Sequence, residues 1–125
     1  MMEQWTISEP HTDRFRLSID FGGRPYWCMF DYIVAPVPAC EGIEIVIRAD
    51  PNADTEQWFP DLKRGMEMGW ASLREESGQL LTGVRITVTK IHTHPVDTTA
   101  RGCERYGWAF IVELVRSRAV QVTGK

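Results

Sequence analysis

A chain of 125 residues, 43% hydrophobic and 25% charged, has the makeup of one globular domain with a single core and is too short for two. Its formal charge of −3 and pI near 5.6 lack the basic footprint of a general nucleic-acid binder and leave room only for a locally basic loop. No apolar run approaches the roughly 20 residues of a membrane span.

The N-terminus, Met-Met-Glu-Gln-Trp-Thr, has neither a basic region nor an apolar run of signal-peptide length. Cys28, Cys40 and Cys103 are an odd set without Cys-x-x-Cys spacing, which argues against a disulfide framework and a zinc knuckle. Reduced, buried thiols in a cytoplasmic protein are expected.

Residues 1–12 are polar, contain Pro10 and show no period, so they are read as a lead-in. From Asp13 the chain alternates, with Phe15, Leu17 and Ile19 opposite Arg14, Arg16, Ser18 and Asp20, the pattern of a half-buried strand. Gly22-Gly23-Arg24-Pro25 breaks it as a hairpin loop of about four residues. Tyr26 to Ala35 is aromatic and β-branched and reads as a well-buried second strand ended by Pro36-Val37-Pro38. Ile43, Ile45 and Ile47 alternate with Glu44, Val46 and Arg48 in a third, followed by turn chemistry at Asp50-Pro51-Asn52-Ala53-Asp54.

The period then changes. Trp58, Leu62, Met66, Gly69, Trp70 and Leu73 recur at steps of three and four, the stripe of an amphipathic helix, with Pro60 expected near its first turn and Gly78 at its stop. Gly65 and Gly69 weaken a helix by about 1 kcal/mol each against alanine, and close approach of the helix to the sheet is the expected compensation. Gly83 opens a strand with Val84, Ile86 and Val88 on one face. Residues 108–115 fit a buried strand by composition. Ala100, Cys103, Gly107, Phe110 and Leu114 fit a helical stripe, and segment length tips the reading to helix. Val120 to Val122 suits a short last strand. The order β-β-β-α-β-α predicts an α+β, two-layer sandwich: a four-stranded, antiparallel-rich sheet with two helices on one face.

Chemistry is concentrated between Ile91 and Thr99. In extended backbone, which Pro95 favours for His94, His92 and His94 share a side, and with Asp97 they are three candidate metal ligands. His-Thr-His-Pro is similar to the metal-binding run of JAMM-type zinc peptidases. That pattern needs a serine and then an aspartate downstream, where this chain has Gly102 and Arg105. Polar loop histidines without a metal are the plainer expectation. No nucleophile elbow appears, and Gly22-Gly23-Arg24 lacks the Gly-Lys-Ser/Thr of a phosphate-binding loop, so neither a nucleotide nor another cofactor is expected. The five tryptophans and five methionines are expected to serve the core.

Gly22-Gly23-Arg24-Pro25-Tyr26-Trp27, with the strand ending Ala35-Pro36-Val37-Pro38, resembles the opening hairpin of domain IV of translation elongation factor G. It is closer still to the tetracycline-resistance ribosomal protection proteins, where Pro-Tyr-Trp and Pro-Leu-Pro take similar places. Trp58 to Gly69 is similar to that domain's first helix. The strand Gly83 to Ile91 and then Pro95-Val96-Asp97-Thr98-Thr99 are similar to its following strand, tip loop and helix start. The resemblance covers residues 13–118, leaving 119–125 as a tail. It implies a ribosomal protein S5 domain 2-like fold with a left-handed βαβ crossover, and it supports a helix over 99–117. It also implies a two-loop tip made of Gly22, Gly23, Arg24, His94, Pro95, Val96 and Asp97. Glycines there admit phosphate, arginine pairs with it, and imidazole and proline faces stack on splayed bases. Within these residues no GTPase signature accompanies the likeness. The expectation is therefore a stand-alone, non-enzymatic module touching ribosomal RNA or a ribosome-associated partner. The alternatives are a protein-interaction module without an RNA role and, third, a metal-dependent hydrolase using His92, His94 and Asp97.

Overall fold

The computed structural model describes residues 3–16, 20–21, 24–25, 29–48, 53–92 and 98–122. Its strands are β1 (Glu3–Thr6), β2 (His11–Phe15), β3 (Asp20–Phe21), β4 (Arg24–Pro25), β5 (Met29–Pro36), β6 (Ile43–Ile47), β7 (Gln79–Leu81), β8 (Val84–His92) and β9 (Val120–Gln121). Helix α1 spans Ala53–Ser72 and runs into a π-helical turn, Leu73–Ser77; α2 spans Ala100–Ser117. The fold is α+β. Leu17, Ile19 and Tyr26 to Cys28, expected in strands, lie outside the described residues.

The main sheet has the order β2-β5-β8-β6, with β5 antiparallel to both β2 and β8 and β6 parallel to β8. Parallel neighbours need a long crossover, and α1 supplies it. Alternation along β5 puts Phe30, Tyr32 and Val34 into the core, and β8 adds Val84, Ile86 and Val88. Strict alternation would next bury Lys90. The register shifts instead: Tyr32 faces Val88, Asp31 faces Lys90 and Phe30 faces Ile91, so Thr89 is an extra residue in β8. This bulge turns Lys90 out and returns Ile91 to the core, where it is 1% exposed.

Both helices cover this face. Leu62 and Met66 of α1 and Cys103, Tyr106, Phe110, Ile111 and Leu114 of α2 join the same cluster. Phe110 is its aromatic hub, with ring centroids 4.7 Å from Tyr32, 5.1 Å from Phe30 and 5.3 Å from Phe15. The glycines of α1 do face a close neighbour, but it is α2 and not the sheet. A Cβ on Gly65 would overlap the Glu104 carbonyl, and one on Gly69 would lie 2.9 Å from that of Trp108. Gly107 of α2 meets the Leu62 carbonyl in the same way, so the two helix backbones touch.

Of the other expectations, some change and some hold. Because α1 starts at Ala53, Pro60 lies inside the helix and leaves one turn without its backbone donor. Gly78 caps the π-helical turn in the left-handed conformation, φ 66°, its N–H donating to the Leu73 carbonyl. The stretch read as a lead-in holds β1, the middle strand of a second sheet of order β7-β1-β9. Cys103 is fully buried, whereas Cys40 is only half-buried; Cys28 lies outside the described residues. Met66 serves the core, but Met68 and Trp108 are exposed, at 47% and 42%. No described helix is long and apolar enough to cross a membrane.

Candidate functional site

β2 ends at Phe15 opposite Phe30, and β5 begins one residue earlier at Met29, which faces His92, the last residue of β8. The segment between β2 and β5 and the segment after β8 therefore leave the sheet at the same end. Within the first, β3 and β4 pair antiparallel, Asp20 with Pro25 and Phe21 with Arg24, so Arg24 and Pro25, expected in a four-residue loop, belong to a strand instead. Gly22, Gly23, His94, Pro95, Val96 and Asp97 themselves lie outside the described residues, as does the side chain of Arg24. Their anchors are described. Thr98 is 8% exposed, and Thr99 caps α2, its hydroxyl accepting from the Gly102 N–H at 2.9 Å.

Beneath that end, on the face of the sheet away from the helices, three strands meet at one carboxylate. Arg14 of β2 donates through Nε to Asp31 Oδ1 at 2.6 Å, and His92 Nε2 lies 3.1 Å from Asp31 Oδ2. Partial burial alone would raise the Asp31 pKa. The hydrogen bonds from Arg14 and His92 and their positive charge outweigh it, so the carboxyl sits below the usual carboxylate range. The cluster fixes the strand ends from which the loops depart. It also engages His92, one of the three residues considered as metal ligands. Among the described residues no three histidine, cysteine or acidic side chains gather as a metal site.

Sequence pattern missed this cluster. Arg14 reads correctly as the polar side of a strand, but Asp31 sits in a run that looks uniformly buried. Its partners lie 17 and 61 residues away. Only the register brings them together.

Elsewhere on the same face, Arg85 donates to Glu44 at 2.8 Å. Arg48 follows β6 and Lys90 lies on β8. Both are exposed, and neither forms an ion pair with an acid among the described residues. On the opposite side of the molecule an open cleft of about 410 Å³ runs between the π-helical turn and α2, lined in part by Leu73, Glu76, Trp108 and Arg116.

No family model matches the chain, and no curated protein does. Among solved structures, the chain is similar to a crystal structure of a protein from Thermus thermophilus, at a TM-score of 0.68 and 13% identity. The match covers 95% of this chain but 18% of that one, so this chain spans less than a fifth of its neighbour's length. At that identity the likeness is one of fold.

Proposed function

We propose that this is a non-enzymatic, translation-factor-like module of the cytoplasm, touching ribosomal RNA or a ribosome-associated partner through a two-loop tip. The tip residues are Gly22, Gly23, Arg24, His94, Pro95, Val96 and Asp97. One observation carries the reading: the pairing of Met29 with His92 sends both loop-bearing segments off the same end of the sheet. Two loops far apart in sequence can then form one contact surface. The arrangement β2-β5-β8-β6, with α1 crossing between parallel neighbours, agrees with the ribosomal protein S5 domain 2-like topology that the resemblance implies. The much longer structural neighbour supports a fold that serves as one part of a larger protein.

Co-sedimentation with purified small ribosomal subunits tests the proposal. Salt-sensitive binding, lost in Arg24→Glu and weakened in His94→Ala, is the expected result; no binding at low salt would sink it. One observation favours a second reading. Trp108 and Met68 expose large apolar side chains on the helical side, as a protein-interaction module would. Capture of a partner that survives RNase treatment and is lost in Trp108→Ala would support that reading instead.

A further inference from the structure

No described helix or strand covers the face of the main sheet opposite the helices, and the charge of that face is not that of the molecule. Across its loop-bearing end the strands present Arg14 on β2, Asp31 on β5, Lys90 on β8 and Arg48 at the end of β6. The register makes this a row: Arg14 faces Asp31, Asp31 faces Lys90, and the Arg48 N–H donates to the Val88 carbonyl at 3.1 Å. The single acid in the row is occupied by Arg14 and His92. Lys90 owes its outward position to the bulge at Thr89, and Lys90 and Arg48 are left exposed without an acidic partner among the described residues. The whole chain carries −3, so this strip runs against the overall sign. Adjacent strands lie about 4.8 Å apart, so side chains on neighbouring strands can reach successive phosphates of an extended strand.

We infer that this row, with Lys90 and Arg48 as its principal contacts, binds the phosphodiester backbone of single-stranded RNA and leads it across the open sheet towards the tip. The inference rests on the reading of the tip as an RNA contact and adds a second contact surface to it. Cations without base-reading partners hold phosphates without selecting sequence. The row therefore supplies salt-dependent affinity, while discrimination is left to the loops.

Fluorescence anisotropy of an end-labelled, mixed-sequence single-stranded RNA, titrated with the full chain at several salt concentrations, tests it. Lys90→Glu with Arg48→Glu should weaken binding about tenfold at ~0.1 M salt. The salt slope should fall by about 1.4, at about 0.7 for each lost phosphate contact on a single strand. The charge-matched control Arg74→Glu with Arg116→Glu, on the helical side, should stay within about twofold of wild type. Thermal melts check folding, and Lys90→Gln with Arg48→Gln replaces the double glutamate if it melts early. Unchanged RNA binding in the sheet variant, beside a loss in Arg24→Glu, would overturn the row and leave the tip reading standing. Binding of labelled polyglutamate in place of RNA would overturn it in favour of an acidic protein segment. No RNA binding by the wild type at low salt would remove the tip reading and the row together.

Discussion

A methyl group placed on Gly65 would intrude on the carbonyl of Glu104, and one on Gly107 on that of Leu62. Both neighbours are helix backbone, which cannot swing aside as a long side chain can. Intrinsic propensity points the other way, since alanine is favoured over glycine by about 1 kcal/mol in a helix interior. Overpacking a filled interior costs about 1–3 kcal/mol and more where backbone must shift, so the steric effect wins. Gly65→Ala and Gly107→Ala are each expected to lower unfolding free energy by about 3 kcal/mol in urea titrations. Gly69→Ala should cost less, because its Cβ would stand 2.9 Å from the nearest oxygen and a small shift relieves it. A stability gain in Gly65→Ala would contradict the close helix contact.

Strands β2, β5 and β8 are tied together at the loop-bearing end by Asp31, and the tie depends on its ionised form. The folded-state pKa of Asp31 lies below the usual value, so folding favours the carboxylate. Its stabilisation is present above the unfolded-state pKa, about 3.9, and is lost as pH falls through the lower folded value. Arg14 is half-exposed, which screens the pair and keeps the effect small. Asp31→Asn should be less stable than wild type near pH 6, and the gap in chemical-denaturation midpoint should close below about pH 4. A gap that persists unchanged into acid would mean that the side chain acts through packing alone.

The elements that could be read beforehand are those whose period is local. Leu62 and Met66 mark α1, and Cys103, Phe110 and Leu114 mark α2, although 108–115 has strand composition. β1 and β7 were invisible, because strands of four and three residues contain too little alternation to show a period. Turn chemistry points to the reversal between β3 and β4, but it places Arg24 and Pro25 in the loop, whereas they pair with β3. The Asp31 cluster and the glycine contact between helices depend on long-range register and crossing geometry, which no local pattern encodes.

At the scale of the molecule, the proposed contact surface and the small sheet lie at opposite ends of the main sheet. The open end of the main sheet carries the loops, while β7-β1-β9 gathers the segments before β8 and after α2 at the end where β8 begins. β1 is the middle strand there. The Thr82 N–H donates to the Trp5 carbonyl at 2.8 Å, Glu3 N–H to Gly78 at 2.8 Å, and Val122 N–H to Gln4 at 2.7 Å. Deleting residues 1–6 removes these three bonds, about 3 kcal/mol at roughly 1 kcal/mol each, together with the ladder pairing of β1 to β7 and β9 and the partly buried Trp5. The deletion should therefore melt well below wild type. Below its melting temperature, however, the Asp31 cluster on β2, β5 and β8 and the Thr99 cap of α2 keep their partners. If the chain binds RNA as proposed, affinity measured at low temperature should stay within about twofold of the full chain, since Lys90, Arg48 and Arg24 are untouched. A tenfold loss of affinity in a deletion that still melts cooperatively would show that the small sheet positions the tip, and the division of labour between the two ends would be wrong.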